Sequence, residues 1–233
     1  MPSVLITGAS RGFGRELFEI YAQRRWTIFP LVRNPVVASQ LQASTEATCH
    51  PIVADVAAPR AEHEISRILE SYCNSLDVLI NNAGNVKKLR GLGQTYPEDL
   101  EDLFRVHCSG VLRCTKTALP YLKKSEKPAV VNISSRFGSI ARVMSGKGST
   151  IYSYPIAKCA QNMLTACLDQ ELRKQGIRVL AVHPGRLKTE VGAPDADTDP
   201  RDAATALADW IDQVDGETLC GFHDIMSGRL IDW

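Results

Sequence analysis

Short β-branched runs alternate with longer amphipathic stretches from one end of this chain to the other, and the runs are too apolar to leave a face in water. Val4-Leu5-Ile6, Thr27–Val32 and residues 49–53, 77–80, 129–133, 177–182 and 219–225 read as seven strands. Helical patterns lie between them. Residues 15–25 form one, and Ala61, Ile65, Ile68, Leu69 and Tyr72 recur at helical spacing. A long stripe runs from Leu100 through Leu103, Phe104, Val111, Leu112 and Leu119 to Leu122 and is closed by Pro128. Residues 154–174, stopped by Gly176, and 203–214 complete the set. Strands buried on both faces need helices on each side, and right-handed crossovers then give an α/β fold with a doubly wound, seven-stranded parallel sheet. No repeat, low-complexity segment or linker divides the 233 residues, which read as one domain, 1–233. The least regular stretch is 189–201, with Gly192, Pro194 and Pro200; it follows a strand's C-terminal end, where a loop can cover a ligand crevice.

Composition narrows the function classes. The 27 basic and 26 acidic residues nearly cancel, so no global field draws the chain to nucleic acid or anionic lipid. No stretch approaches the ~20 apolar residues that span a bilayer. A strand-like run already opens at residue 4, leaving no room for a secretory leader. Seven cysteines, an odd number without a Cys-x-x-Cys, read as reduced, mostly buried small hydrophobes of a cytoplasmic protein. His50, His63, His183 and His223 have no metal-ligand spacing.

Two local patterns carry chemistry. The first strand leads directly into Thr7-Gly8-Ala9-Ser10-Arg11-Gly12-Phe13-Gly14 and then a helix. Three glycines let the backbone turn tightly and approach a pyrophosphate, which rests on unpaired amides at the helix N-terminus. Further on, Tyr154 and Lys158 are four residues apart and share one helical face. A phenol titrates near ~10 in water. An ammonium a few ångströms away is expected to lower that by ~1–3 units, into the range where the phenol exchanges a proton with a substrate oxygen.

The remaining motifs fall in a recognisable order: Asp55-Val56 after the third strand, Asn81-Asn82-Ala83-Gly84 after the fourth, Asn132-Ile133-Ser134-Ser135 ending the fifth, then Tyr154-x-x-x-Lys158, then Pro184-Gly185-Arg186-Leu187-Lys188-Thr189 after the sixth. With the glycine spacing, they make the chain resemble the short-chain dehydrogenases/reductases along nearly its whole length. Gly138-Ser139-Ile140, the long stretch before Tyr154, His183-Pro184-Gly185 and the tail from Gly221-Phe222 to Trp233 resemble the C-factor and sniffer-type carbonyl reductases.

The resemblance implies a single Rossmann-type domain that binds a nicotinamide nucleotide. Gly8, Ser10, Arg11, Gly12, Phe13 and Gly14 would surround its phosphates. Asp55 would meet the adenine amino group with Val56 against the ring, and Asn82, Ala83 and Gly84 would lie near the adenosine ribose. Pro184, Gly185, Leu187 and Thr189 would fix the carboxamide and pyrophosphate. Where the family places a ribose-binding acid, at the end of the second strand, this chain has Val32 followed by Arg33. Arg33 and Arg11 suit a 2′-phosphate, so the expected cofactor is NADP(H). The resemblance makes Ser135, Tyr154 and Lys158 the catalytic set. It implies a small-molecule carbonyl or alcohol substrate and a homodimer or homotetramer, although a long loop before the tyrosine can obstruct that assembly.

Two departures stand out. Tyr154 lies nineteen positions after Ser135, where the family usually has about a dozen; the excess around 142–150 must loop out, either walling the substrate site or lying idle on the surface. The family's long helix carries an Asn that kinks it and binds a relay water through its main-chain carbonyl, and here that place holds His107. Its imidazole could relay protons, or be a bulky replacement satisfied by a backbone carbonyl. The reading is an NADPH-dependent reductase of a ketone or aldehyde, or the reverse alcohol oxidation. The alternative is a nucleotide-binding signalling or regulatory protein with an idle active site. Arg136, Phe137, Met144, Lys147, Arg186 and residues 192–199 are candidates for the substrate pocket.

Overall fold

Period-two alternation sorts the strand side chains onto two faces, and each face carries its own helices. The structure is a computed structural model describing residues 1–86, 91–147, 151–190, 192, 195–218 and 220–233. Its elements are β1 (Ser3–Thr7), α1 (Gly12–Gln23), β2 (Thr27–Val32), α2 (Pro35–Ala43), β3 (Ile52–Val53), α3 (Ala61–Tyr72), β4 (Val78–Asn81) and α4 (Pro97–Phe104). A π turn (Arg105–Gly110) joins α4 to α5 (Val111–Leu122); β5 (Ala129–Ile133), α6 (Ile140–Met144), α7 (Ser153–Leu172), β6 (Arg178–His183), α8 (Pro200–Gln213), β7 (Phe222–Asp224) and β8 (Arg229–Leu230) follow.

Val4 and Ile6 of β1, Ile28 and Val32 of β2, Ile80 of β4 and Val131 of β5 pack under α1, α2 and α8. Leu5, Phe29, Leu31, Leu79 and Val130, one residue out of phase, pack under α3, α5 and α7. Two apolar layers on one sheet are what a doubly wound fold requires. The strand order is β3-β2-β1-β4-β5-β6-β7-β8. Seven strands are parallel and the eighth is antiparallel to β7, so the expected all-parallel, seven-stranded sheet gains an edge strand. That strand is two exposed residues after a turn at Gly228, too short to print a pattern. Leu219, the expected start of the seventh strand, lies outside the described residues.

Local chemistry explains where boundaries moved. At the third strand Cys49 makes a bridge to Ile28, and the ladder resumes at Ile52 beyond Pro51, which has no N–H to donate. The helix α2 was not expected. Asn34 caps it, accepting from the Val36 amide at 2.8 Å, with Pro35 at the first position. The last helix starts at Pro200, three residues early, because Asp199 caps it through the Arg201 amide at 2.8 Å. Gly176 ends the α7 region in a left-handed conformation, φ 78°. Among the described residues no helix is long and apolar enough to cross a membrane.

The sheet's winding reverses between β1 and β4, so the loops after these strands diverge and leave a crevice. Thr7 and Asn82 stitch its base. The Thr7 hydroxyl accepts from the amides of Asn82 and Ala83 at 3.0 and 2.9 Å, and the Asn82 amide donates to the carbonyls of Thr7 and Gly8 at 3.0 and 3.2 Å. A Cβ on Gly14 would overlap the Gly8 carbonyl oxygen and the Asn82 amide. We therefore expect Gly14→Ala to cost about 1–3 kcal/mol, measured as a lower urea midpoint; an unchanged midpoint would show that this contact yields freely.

Candidate active site

The glycine turn has the shape its sequence implied. Gly8 and Gly12 take φ of 70° and 54°, which only glycine adopts without strain. The amides of Gly12, Phe13 and Gly14 open α1, where helical geometry gives them no carbonyl partner. Ser10 and Arg11 are exposed beside them. The Phe13 ring is buried among core residues, leaving its backbone as the part that can meet a ligand. Across the crevice Thr189 comes close to Gly12, and Glu190 pairs with Arg11 at 2.5 Å. The expected phosphate ligand Arg11 is thus engaged by the loop after β6.

Where the adenosine was expected, Val32 is buried at the end of β2 and Arg33 is exposed. Asp55 closes a turn by accepting from the Ala57 amide at 3.0 Å. Val56 is buried, its side chain so near Gly110 that a Cβ there would lie 3.1 Å away. Ala83 abuts Gly8, and Gly84 is packed against His107. Where the nicotinamide was expected, Pro184 is buried and Gly185 adopts φ 96°. Leu187 bridges to Thr198, closing residues 187–198 into a loop. Just before it, Arg186 is paired to Asp195 and Asp197, so this candidate substrate contact is held by the loop it precedes. Val191, Ala193 and Pro194 of the expected lid lie outside the described residues.

The reacting centre assembles where β5 meets α7. Ser135, two residues beyond β5, lies beside the Tyr154 phenol, and its hydroxyl favours the ionised phenol. Lys158, one turn along α7, is buried, with its Nζ 5.8 Å from the centre of the Tyr154 ring. The ammonium donates to the Ile133 carbonyl at 2.6 Å and to Gln161 Oε1 at 2.8 Å. The expected lowering of the phenol does not appear here. Burial pushes Tyr154 up to about 12, opposed by the neighbouring Ser135 hydroxyl. The reason lies in Lys158, which burial pulls down to about 7 and whose hydrogen bonds go to other oxygens.

His107 sits in the π turn between α4 and α5, its ring edge-on to Tyr154 with centroids 5.8 Å apart. Its Nε2 is 3.1 Å from the Asn85 carbonyl, which can only accept, so Nε2 carries the hydrogen. Nδ1 is buried without a hydrogen-bond partner among the described residues. Burial first, then the Lys158 charge, pull the ring down to about 3, against the Asn85 bond. A neutral imidazole satisfied by a backbone carbonyl is the replacement reading, and relay through an imidazolium is disfavoured.

Between Ser135 and Tyr154 lie a 3₁₀ turn (Arg136–Gly138) and α6, whose last residues fall in the expected excess; Gly148, Ser149 and Thr150 lie outside the described residues. The chain's end holds this segment. Ser139 donates to the Asp232 carbonyl at 2.6 Å, the Ala141 amide donates to that of Trp233 at 3.0 Å, and Trp233 stacks on Phe222. Lys147 lines a 410 Å³ pocket between α6 and the β7–β8 hairpin, with none of Ser135, Tyr154 or Lys158 in its wall.

A family profile described as short chain dehydrogenase matches residues 2–200. The chain belongs to the short-chain dehydrogenase family. As a member it is an NAD(P)-dependent oxidoreductase. It is 32% identical to C-signal of Myxococcus xanthus over 158 residues, 68% of this chain and 93% of that protein. The NADPH-bound carbonyl reductase from chicken fatty liver superposes with a TM-score of 0.88 at 27% identity, covering 100% of this chain and 99% of the other. Carbonyl reductase Sniffer of D. melanogaster gives 0.89 at 26%, covering both chains completely.

Sequence reading of this short-chain dehydrogenase missed Gln161 and Asn162, and took Gly138 only as part of a family likeness. A Cβ on Gly138 would lie 2.8 Å from the Lys158 backbone, so only glycine lets the turn after Ser135 seat on α7. Asn162 accepts from Ser134 at 2.5 Å and donates to the Gly138 carbonyl at 3.3 Å. The signal available was two polar residues directly on the inward side of Lys158. Because Lys158 titrates near 7 when folded and near 10.5 when unfolded, its burial costs stability fully below about pH 7, and the cost fades as pH rises to 10.5. Replacing it by Met should therefore favour the variant more at about pH 6.5 than at about pH 9.5, by about 1–3 kcal/mol. Urea unfolding at both values tests this; an equal difference would contradict it.

Proposed function

We propose that this protein reduces a ketone or aldehyde with NADPH, Tyr154 acting as the acid. The observation that carries the reading is that Ser135, Tyr154 and buried Lys158 come together where β5 meets α7, in a fold that also carries a glycine cradle. The cradle fits a dinucleotide: free amides at the start of α1, glycine where a Cβ would intrude, and no carboxylate at the end of β2. Gly12, Phe13 and Gly14 would hold the phosphates through backbone amides, while Gly8, whose amide donates to the Leu31 carbonyl at 2.9 Å, shapes the turn; Arg33 and Arg11 would hold the 2′-phosphate, with Arg11 leaving Glu190. The likeness to an NADPH-bound carbonyl reductase supports the same cofactor.

When bound, the nicotinamide supplies the hydride that reduces the carbonyl carbon. The chain's own part is the proton. A substrate oxygen takes hydrogen bonds from Ser135 and Tyr154, which hold it as negative charge develops there. With the phenol at about 12, Tyr154 is fully protonated at neutral pH. It can still give its proton to an alkoxide, which is far more basic. Ser135 then donates to the phenolate, and Lys158 adds its charge when protonated. A signalling protein with an idle site is the second reading, favoured by the likeness to C-signal and by His107.

Tyr154→Phe should lower carbonyl-dependent NADPH oxidation by about 10²–10⁴-fold while NADPH fluorescence titration shows unchanged binding. Binding with no reduction across a broad carbonyl panel would favour the idle-site reading. NADPH should raise the melting temperature more than equal NADH, and Arg33→Ala should erase that difference. His107→Asn should keep at least wild-type turnover; a fall of about a hundredfold in folded protein would make the imidazole a working part.

A further inference from the structure

Behind the hydroxyl pair runs a buried polar seam that neither the cradle nor the Ser–Tyr–Lys set explains. Gln161 is one turn beyond Lys158 on α7 and 1% exposed. Its side-chain oxygen accepts from Lys158 Nζ at 2.8 Å. Thr165, a turn further on, donates to the Gln161 backbone carbonyl at 2.8 Å and accepts from Asn132 at 2.9 Å. Asn132 in turn accepts from Asn81 at 2.8 Å. The seam ties α7 to the ends of β5 and β4.

A helix face turned to the core is normally apolar, and a buried amide is costly unless paired. Leucine would fill the position of Gln161 without that cost, so what distinguishes glutamine is its bond to Lys158. An ammonium has three N–H groups; Ile133 and Gln161 fix two, leaving one. The ionisable groups around it are Tyr154 on its own helix and His107 and Cys108 from the π turn. Burial raises the Cys108 thiol to about 11 and His107 is neutral, so near neutral pH no anion among the described residues holds the charge. Neutral oxygens must do it.

We propose that Gln161 is a positioning residue that keeps Lys158 in its ammonium form and fixes Nζ behind Tyr154. Its consequence for turnover rests on the carbonyl-reductase reading; the hydrogen bond and the titration do not. The test follows the ¹³Cε shift of labelled lysines against pH in the ligand-free protein, with Lys158 assigned by the signal missing from Lys158→Met. In Gln161→Leu, Lys158 should titrate about one unit lower than in wild type, and in Gln161→Glu about one unit higher. The alkaline limb of kcat for carbonyl reduction should move in the same two directions. Should either variant fail to fold by circular dichroism, Gln161→Met removes the same acceptor and should behave as Gln161→Leu. An unchanged Lys158 titration in folded variants overturns the proposal. Wild-type protein that reduces no carbonyl overturns the activity instead and leaves the lysine titration to decide the role of Gln161.

Discussion

The hydrogen bond from Lys158 to the carbonyl of Ile133 joins the last residue of β5 to the first turns of α7. Everything at the reacting centre hangs on that junction. It sets the distance between Ser135, which leaves the strand, and Tyr154, which rides on the helix. Close packing enforces the same alignment, since the turn after Ser135 can approach α7 only through Gly138. Ser134 and Asn162 add a second tie a turn away. A shift of α7 by one residue would break all of these together, so the site is specified by the core rather than by its loops.

Burial also sets the protonation states. The same low-dielectric surroundings raise the Tyr154 phenol and lower Lys158 and His107. Each group is pushed toward its neutral form, as desolvation requires. For a reductase this suits the tyrosine, which must start protonated. It leaves the lysine delicately poised near neutrality, and oxygen acceptors around it then matter more than they would at a surface.

Much of the architecture was legible because it repeats. Two apolar phases in each strand and long helical stripes announce a sheet buried on both sides, and five strand–helix boundaries carry chemically explicit motifs. What escaped was short or singular. Two-residue β8 has no period, and Asn34-Pro35, a cap followed by a helix-starting proline, was passed over as irregular chain. The phenol was expected to fall because spacing shows that a lysine is near but not which oxygens it bonds. Gln161 and Asn162 carried no sequence signal of a role, since a one-dimensional pattern cannot tell an inward amide with partners from an outward one.

The account turns on whether this crevice performs reduction. The most direct measurement is to supply NADPH deuterated at C4 of the nicotinamide with a reducible carbonyl and analyse the alcohol by mass spectrometry. The account predicts one deuterium bound to the carbinol carbon in wild-type product. An alcohol formed without deuterium at that carbon would contradict it.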